Sequence, residues 1–442
     1  MADVAPLLAP LVRRLLGGRL PVRLAAWDGS VVPPDPPGGA ARRPTDPVTI
    51  VVRSPDALRR LLYAPGELGL ARAHIAGDID VEGDIFALLD LRAGLGTGRQ
   101  HVTVGPTLRD LALVASTLRE VGGLGPPLPP PAEESRRRGR RHSKGRDTEV
   151  VRHHYDVGNE FYDLVLGPSL TYSCAYWDDS ATTLEEAQAA KHELVCRKLG
   201  LRRGQRVLDV GCGWGSFVLH AATRHGVHAT GITLSPEQAD RARRRAAEAG
   251  LADRVDIRVQ DYRDVDDRPF DAIASVGMFE HVGADQARPY ARALARLVRP
   301  GGRVLNHAIS RPDPDTRSGV DDRSFIGRYV FPDAALHEVG HVVSTLQSAG
   351  LEVRDVESLR EHYARTLRAW VANLEGDWDR AQRLVGPGRA RTWRLYMAGS
   401  AVGFEAGRIS IHQVLAVKPH PDGRSDVPAT RTWLSTSATS TP

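Results

Sequence analysis

One segment constrains the fold more than any other. Val207–Ser216 reads VLDVGCGWGS, an apolar strand running into three glycines at alternate positions, with a helical pattern after them. Glycines at such a turn let the chain reverse sharply and bring its backbone close to a ligand. Around it the pattern alternates: strands are predicted at Arg206–Val210, Ala229–Thr233, Val255–Val259, Ala272–Val276 and Arg303–Ile309, with helices between them, notably Pro236–Ala249 and Asp285–Leu297. Such alternation predicts an α/β fold with a parallel, doubly wound sheet and ligand at the carboxyl ends of the strands. A last strand is expected at Ser410–Val417, after helices around Arg360–Ala406 that would wall a substrate pocket.

A glycine-rich turn alone does not choose its nucleotide, because dinucleotide enzymes use a similar one. Two details favour S-adenosylmethionine. Asp209 precedes Gly211, Gly213 and Gly215, where a carboxylate can meet the ligand's ammonium group. The second strand ends in Gly231-Ile-Thr-Leu-Ser235, without the acidic residue that a NAD ribose wants. Thr233, Ser235 and Gln238 offer neutral polar contacts there, and Asp261-Tyr262 is positioned to receive the adenine edge. The predicted class is a Rossmann-like class I methyltransferase with a smaller N-terminal domain.

The chain divides into an N-terminal domain over 1–121, a linker over 122–146, the catalytic region over 147–418 and a disordered tail over 419–442. In the first domain Leu7, Leu8, Leu11, Val12, Leu15 and Leu16 share one helical face beside Arg13, Arg14 and Arg19. That face either touches lipid or docks on its own domain. A strand at Val48–Val52 and a helix near Pro55–Leu62 follow. The linker opens as GGLGPPLPPP and continues as Arg136–Arg146, with seven basic residues and no acidic one. That run is a solvated tether, a site for anionic lipid, or a site for nucleic acid, although no aromatic residues interleave for stacking. The net charge of +5 favours anionic partners without choosing among them. Three cysteines without framework spacing suggest reduced thiols and a cytoplasmic setting. No apolar run approaches the roughly 18 residues of a membrane span, and the arginines that follow the first apolar stretch do not suit a secretory signal.

Several segments closely resemble the cyclopropane-fatty-acyl-phospholipid synthases, including the actinobacterial branching methyltransferases. They are His154-Tyr-Asp-Val-Gly-Asn159, Tyr172-Ser-Cys-Ala-Tyr-Trp177, Asp209–Ser216, Gln260-Asp-Tyr-Arg-Asp264, Ser275-Val-Gly-Met-Phe-Glu-His-Val-Gly283 and Tyr329-Val-Phe-Pro332, with a weaker match at Gly66-Glu-Leu-Gly-Leu70. The resemblance covers nearly all of the catalytic region. It implies transfer of a one-carbon unit from S-adenosylmethionine to the cis double bond of phospholipid acyl chains, and adds Tyr172, Ser173 and Leu234 to the cofactor contacts. It also implies a bound bicarbonate as base, held by Cys174, Glu280, His307, the backbone of Ile309, and Tyr363.

The chemistry suits such residues. An alkene is a poor nucleophile, so it must be held dry and in line with the methyl donor. Attack leaves a carbocation, which aromatic faces stabilise without capturing it; Tyr172, Tyr176, Trp177, Phe279 and Tyr363 are the candidates. Loss of a proton from the added carbon then gives a cyclopropane, or, with a double-bond shift, a methylene branch that a reductase partner could convert to a methyl. Some relatives carry a cysteine where this chain has Ser400, so a thiol nucleophile there is excluded.

The expected partners are unsaturated phospholipids at the inner membrane face, with a peripheral, cytoplasmic location. No nucleic acid is expected, and a homodimer is open. The alternatives are a methyltransferase acting on a small soluble nucleophile or on RNA, and a non-catalytic lipid-binding scaffold. His337-Glu-Val-Gly-His341 matches the zinc-protease pattern but lacks an obvious third ligand, and no metal is expected; His153-His154 is read as structural.

Overall fold

The computed structural model describes residues 3–36, 48–93, 107–135, 158–313, 321 and 324–431. The chain forms two compact units: Met1–Arg137 with Asp321–Pro332 and Leu374–Arg408, and Arg138–Val320 with Asp333–Asn373 and Ile409–Pro442. The boundary expected at 147–418 is therefore interrupted twice, because two later segments group with the N-terminal residues.

The first unit holds a four-stranded sheet of β1 (Arg23–Ala26), β2 (Val31–Val32), β3 (Thr49–Val52) and β4 (Ile79–Glu82), in the order β2-β1-β3-β4. The Val4–Leu15 helix buries Val4, Ala5, Leu8, Ala9 and Leu11 among Leu20, Leu24, Val52, Leu58, Val114 and Leu118. Its apolar face is thus spent on its own core rather than offered to lipid, and Arg13 is paired with Asp35 at 2.8 Å. The start of the expected linker is irregular but fastened. Arg59 and Arg60 donate to the carbonyls of Pro126 and Pro129, and the Tyr63 hydroxyl donates to that of Gly125. Buried Glu134 takes both arms of Arg72 at 2.7 Å and the Tyr329 hydroxyl at 3.0 Å. The Pro387–Glu405 helix joins this unit through Arg391 on Asp80 and through Arg394 on the carbonyls of Val81 and Gly83. It carries Ser400. The basic run 136–146 lies outside the described residues.

The second unit is built on seven strands: β5 (Arg206–Val210), β6 (His228–Thr233), β7 (Val255–Val259), β8 (Phe270–Val276), β9 (Val298–Ser310), β10 (Glu352–Ser358) and β11 (Ser410–Val417). Their order is β10-β11-β9-β8-β5-β6-β7. The five from β5 to β9 are mutually parallel, while β11 runs antiparallel between β9 and β10, so the sheet is mixed rather than wholly parallel. Strand β10 had no counterpart in the sequence reading. Alternate residues feed two cores: Val207, Ala274 and Leu305 pack on one face with Phe217, Val218 and Ala242, and Leu208, Ile273 and Val304 on the other with Tyr290, Leu294 and Leu346. This double burial is why the strands read as apolar runs. The chain steps from β5 outward to β7, then returns to β8 on the other side of β5. That reversal opens the crevice where such folds bind ligands.

Local chemistry fixes the helices that face the crevice. Thr183 and Glu186 form a reciprocal capping box for Leu184–Leu199, which ends at left-handed Gly200. Ser235 caps Pro236–Glu248, with proline at its first position. Of the tail, residues 419–431 are fastened rather than disordered: Arg431 pairs with Asp355 at 3.0 Å and Arg303 donates to the Asp426 carbonyl.

Candidate active site

Strand β5 delivers Asp209 and the glycine turn to the crevice. Gly211, Gly213 and Gly215 all have positive φ. A Cβ on Gly211 would fall 2.6 Å from Met278 Cγ, whereas one on Gly213 would meet nothing within 4 Å. The turn is therefore packed against the β8 loop on one side and open on the other. Asp209 is buried, and its Oδ1 has no hydrogen-bond partner. Burial pushes its carboxyl up to about 7, opposed by the nearby Lys191 ammonium. A buried acceptor left unsatisfied beside an open backbone cradle fits the ammonium of S-adenosylmethionine.

At the end of β6 the polar residues serve one another. Thr233 donates to Gln238 Oε1 at 2.8 Å, accepts from the Ser235 amide, and Ser235 Oγ accepts from the Gln238 amide. Their side chains mainly build the turn that presents half-buried Leu234. Asp261 is likewise engaged: its carboxylate holds the Arg263 amide and guanidinium. Tyr262 is buried edge-on against Tyr290.

Glu280 sits two residues beyond Met278, the side chain that packs on the glycine turn. Its Oε1 accepts the Ile309 amide at 2.7 Å, and its buried Oε2 has no partner. Burial pushes its carboxyl up to about 7, against the lowering effect of that amide. His307, on β9 two residues before Ile309, is buried with Nδ1 3.1 Å from the Gln413 amide nitrogen. That amide donates, so the neutral ring carries its proton on Nε2, which has no partner. Burial holds the imidazole well below its usual range, with Lys191 and Lys198 adding to the effect.

Cys174 is buried and directs its thiol to the carbonyls of Ala175 and Leu359. Burial raises the thiol far above the ordinary range, so it is a neutral wall group. Leu359 also receives the amide of Tyr363. Tyr363 packs edge-on against Trp370, whose other neighbour, Tyr172, is stacked on it at 5.4 Å. Tyr162 bridges Tyr172 and Trp214, and Ser173 is half-buried between Tyr172 and Cys174.

The expected residues thus meet in two groups, Glu280–Ile309–His307 and Cys174–Tyr363–Tyr172. Three aromatic candidates face elsewhere. Trp177 lies under the Arg365 guanidinium at 4.5 Å, Tyr176 stacks on His362, and Phe279 packs against Tyr290 and His337. Trp370 and Tyr162 take their place in the cluster. The HExxH pattern also resolves differently: His337 precedes the Val339–Ser348 helix, and its ring stacks on that of His341 at 4.5 Å. His153-His154 lies outside the described residues.

Lys191 was missed. It is buried on the Leu184–Leu199 helix, with its Nζ 3.3 Å from His192 Nδ1 and no carboxylate within salt-bridge distance among the described residues. Burial brings it down to about 8, and its charge is felt at Asp209, Cys174 and His307. The available signal was a lysine in line with the apolar residues Leu184, Ala187, Leu194 and Val195 at helical spacing.

Residues 142–414 match the family described as "Mycolic acid cyclopropane synthetase". A Mycobacterium tuberculosis protein named "Probable fatty acid methyltransferase" is 41% identical over 427 residues, 94% of this chain and 95% of its own. The cyclopropane-fatty-acyl-phospholipid synthase of Escherichia coli is 34% identical over 378 residues, 85% of this chain and 90% of its own. A solved mycolic acid cyclopropane synthase, complexed with SAH and CTAB, gives a TM-score of 0.57 at 32% identity, covering 61% of this chain and 97% of that one.

Proposed function

The chain belongs to the mycolic acid cyclopropane synthetase family, and from that premise we propose that it adds a one-carbon unit to the cis double bond of unsaturated phospholipid acyl chains. It is an S-adenosylmethionine-dependent methyltransferase. The observation that carries the proposal is the Glu280–His307 pair: a buried acceptor atom and a buried donor atom, both unsatisfied, the first on the segment whose Met278 packs on the glycine turn and the second on β9, which is tied to Glu280 through the Ile309 amide. A methyltransferase acting on an oxygen or nitrogen nucleophile has no need of such a sealed pair beyond its transfer site.

S-adenosylmethionine, when bound, supplies an electrophilic methyl group. Asp209 would accept a hydrogen bond from its ammonium, and the glycine turn lets the backbone approach it. Tyr172, Trp370 and Tyr363 present aromatic faces and edges that can stabilise a cation on the acyl chain and exclude water. Burial keeps Cys174 a neutral thiol rather than a thiolate, which limits its capture of that cation.

The unsatisfied atoms fit bicarbonate: Glu280 Oε2 could accept its hydroxyl and His307 Nε2 could donate to an oxygen. Bicarbonate so held would supply a base for the added carbon. The Ile309 amide is occupied by Glu280, so Ile309 serves that site by fixing the carboxylate rather than by offering a free donor. Deprotonation of the added carbon completes either a ring or a methylene branch.

A phospholipid substrate would bring the working enzyme to a lipid surface; no helix among the described residues is long and apolar enough to cross a membrane. The test is label transfer. Protein is incubated with methyl-labelled S-adenosylmethionine and vesicles of a cis-monounsaturated phospholipid, with saturated vesicles and RNA as controls. Label in the unsaturated acyl chains alone supports the reading. Label in RNA, or in none of the three despite measured cofactor binding, overturns it.

A further inference from the structure

Away from the crevice, four metal-ligating side chains converge between two helices. Cys196 and Glu193 lie three residues apart on Leu184–Leu199 and so share a face. His220 and His225 come from Ser216–His225, the helix that begins at the end of the glycine turn. The ligand atoms of Cys196, His220 and His225 lie within 4.8 Å of one another. Glu193 Oε2 is 3.2 Å from His220 Nε2 and 3.1 Å from His225 Nε2. The other carboxylate oxygen faces Arg197 at 3.9 Å.

We propose that Cys196, His220, His225 and Glu193 form a structural zinc site that ties these two helices together. The donor set is one that zinc favours: a thiolate, two imidazoles and a carboxylate. In a tetrahedral site the ligand atoms stand roughly 3.3 to 3.8 Å apart, so the Cys196, His220 and His225 atoms need only a modest contraction, and Glu193 already reaches both imidazoles. Charge also balances. A divalent cation with one thiolate, one carboxylate and two neutral imidazoles is neutral overall, which suits a cluster whose cysteine is fully buried and whose histidines are partly so. Binding displaces the Cys196 thiol proton to solvent, and each imidazole moves its proton from Nε2 to Nδ1 to free a lone pair. The competing account is a carboxylate that accepts two imidazole hydrogen bonds and holds no ion. All four donors lie outside the transfer site described above, so the zinc would stiffen the helix behind the cofactor turn and take no part in chemistry.

The experiment uses the full-length protein, reduced and stripped with a chelator, then titrated with Co²⁺ as the spectroscopic probe. The expected result is one Co²⁺ per chain, with the strong visible bands of a tetrahedral site and a thiolate-to-cobalt charge-transfer band, all displaced by Zn²⁺. Cys196→Ala should abolish the charge-transfer band. Because Cys196 lies in a core, His225→Gln at the partly exposed end of its helix provides a second variant, expected to weaken cobalt binding roughly tenfold or more. Zn²⁺ should also raise the melting temperature of the stripped protein. Absence of stoichiometric cobalt binding, weak octahedral bands only, a charge-transfer band that survives Cys196→Ala, or unchanged affinity in His225→Gln would each overturn the proposal.

Discussion

The Ile309 amide donates to Glu280 Oε1 at 2.7 Å, which fixes the carboxylate and leaves its Oε2 buried and unpaired. Strand β9 supplies both this clamp and, two residues earlier, the His307 imidazole with its unpaired Nε2. One strand thus sets the distance between the acceptor and the donor of the inferred base site.

Replacing Glu280 with Gln keeps an oxygen for the Ile309 amide but removes the negative charge. S-adenosylmethionine affinity should be unchanged within a factor of about two, while turnover falls about 10²- to 10⁴-fold, the range for a lost acid–base group. Calorimetry of cofactor binding and single-turnover kinetics check the two halves. A large loss of cofactor affinity would reassign Glu280 to the nucleotide side.

Asp209 gives a pH dependence whose sign can be fixed. Burial holds its carboxyl at about 7 in the ligand-free protein, and a cationic ligand favours the ionised form. Cofactor affinity should therefore rise with pH toward about 7 and level off above it, with proton release on binding at lower pH. Lys191 lowers the Asp209 carboxyl, so Lys191→Met should move this limb to higher pH. Calorimetry in buffers of different ionisation enthalpy reads both effects.

The same burial acts on stability. The folded chain holds protons on Asp209 and Glu280 up to about 7, whereas unfolded carboxyls release theirs near about 4. Between those values the folded state binds more protons, so these two groups make the ligand-free protein less stable as pH rises through that window. Denaturant unfolding of the wild type and of Asp209→Asn should show a shallower decline in the variant.

Glu134 fastens the start of the linker to the first unit, with its carboxylate sealed against Arg72 and Tyr329. Glu134→Ala leaves the Arg72 guanidinium partly buried without its partner and should cost about 3 kcal/mol, as broken buried pairs do. Glu134→Gln, which keeps an acceptor, should cost less. Urea titration followed by tryptophan fluorescence checks the order.

Much of the second unit was legible because its signals are local. Strands β5, β7 and β11 fall at their expected bounds, and Ser235 with Pro236 marks a helix start in two letters. Strand β10 was not legible: Glu352–Ser358 reads EVRDVES, a polar edge strand that only its pairing with β11 defines. The site divides the same way. Glu280, His307 and Cys174 were found through motifs, and Asp209 through the glycine turn. Trp370 and Lys191 sit in ordinary helices, and only packing shows one between Tyr172 and Tyr363 and the other buried with no carboxylate in salt-bridge range among the described residues. Conversely, Trp177 and Tyr176 lie within a motif, yet their faces are taken by Arg365 and His362.

The central claim is that a buried site strips a proton from the transferred carbon, and isotope retention tests it most directly. The enzyme is supplied with S-adenosylmethionine bearing a fully deuterated methyl group and with cis-monounsaturated phospholipid vesicles, and the acyl product is examined by mass spectrometry and proton NMR. The account predicts that two of the three deuterons remain in the product, in a cyclopropane or in a methylene branch. Retention of all three would mean that the added carbon is never deprotonated, and would contradict the role assigned to the Glu280–His307 site.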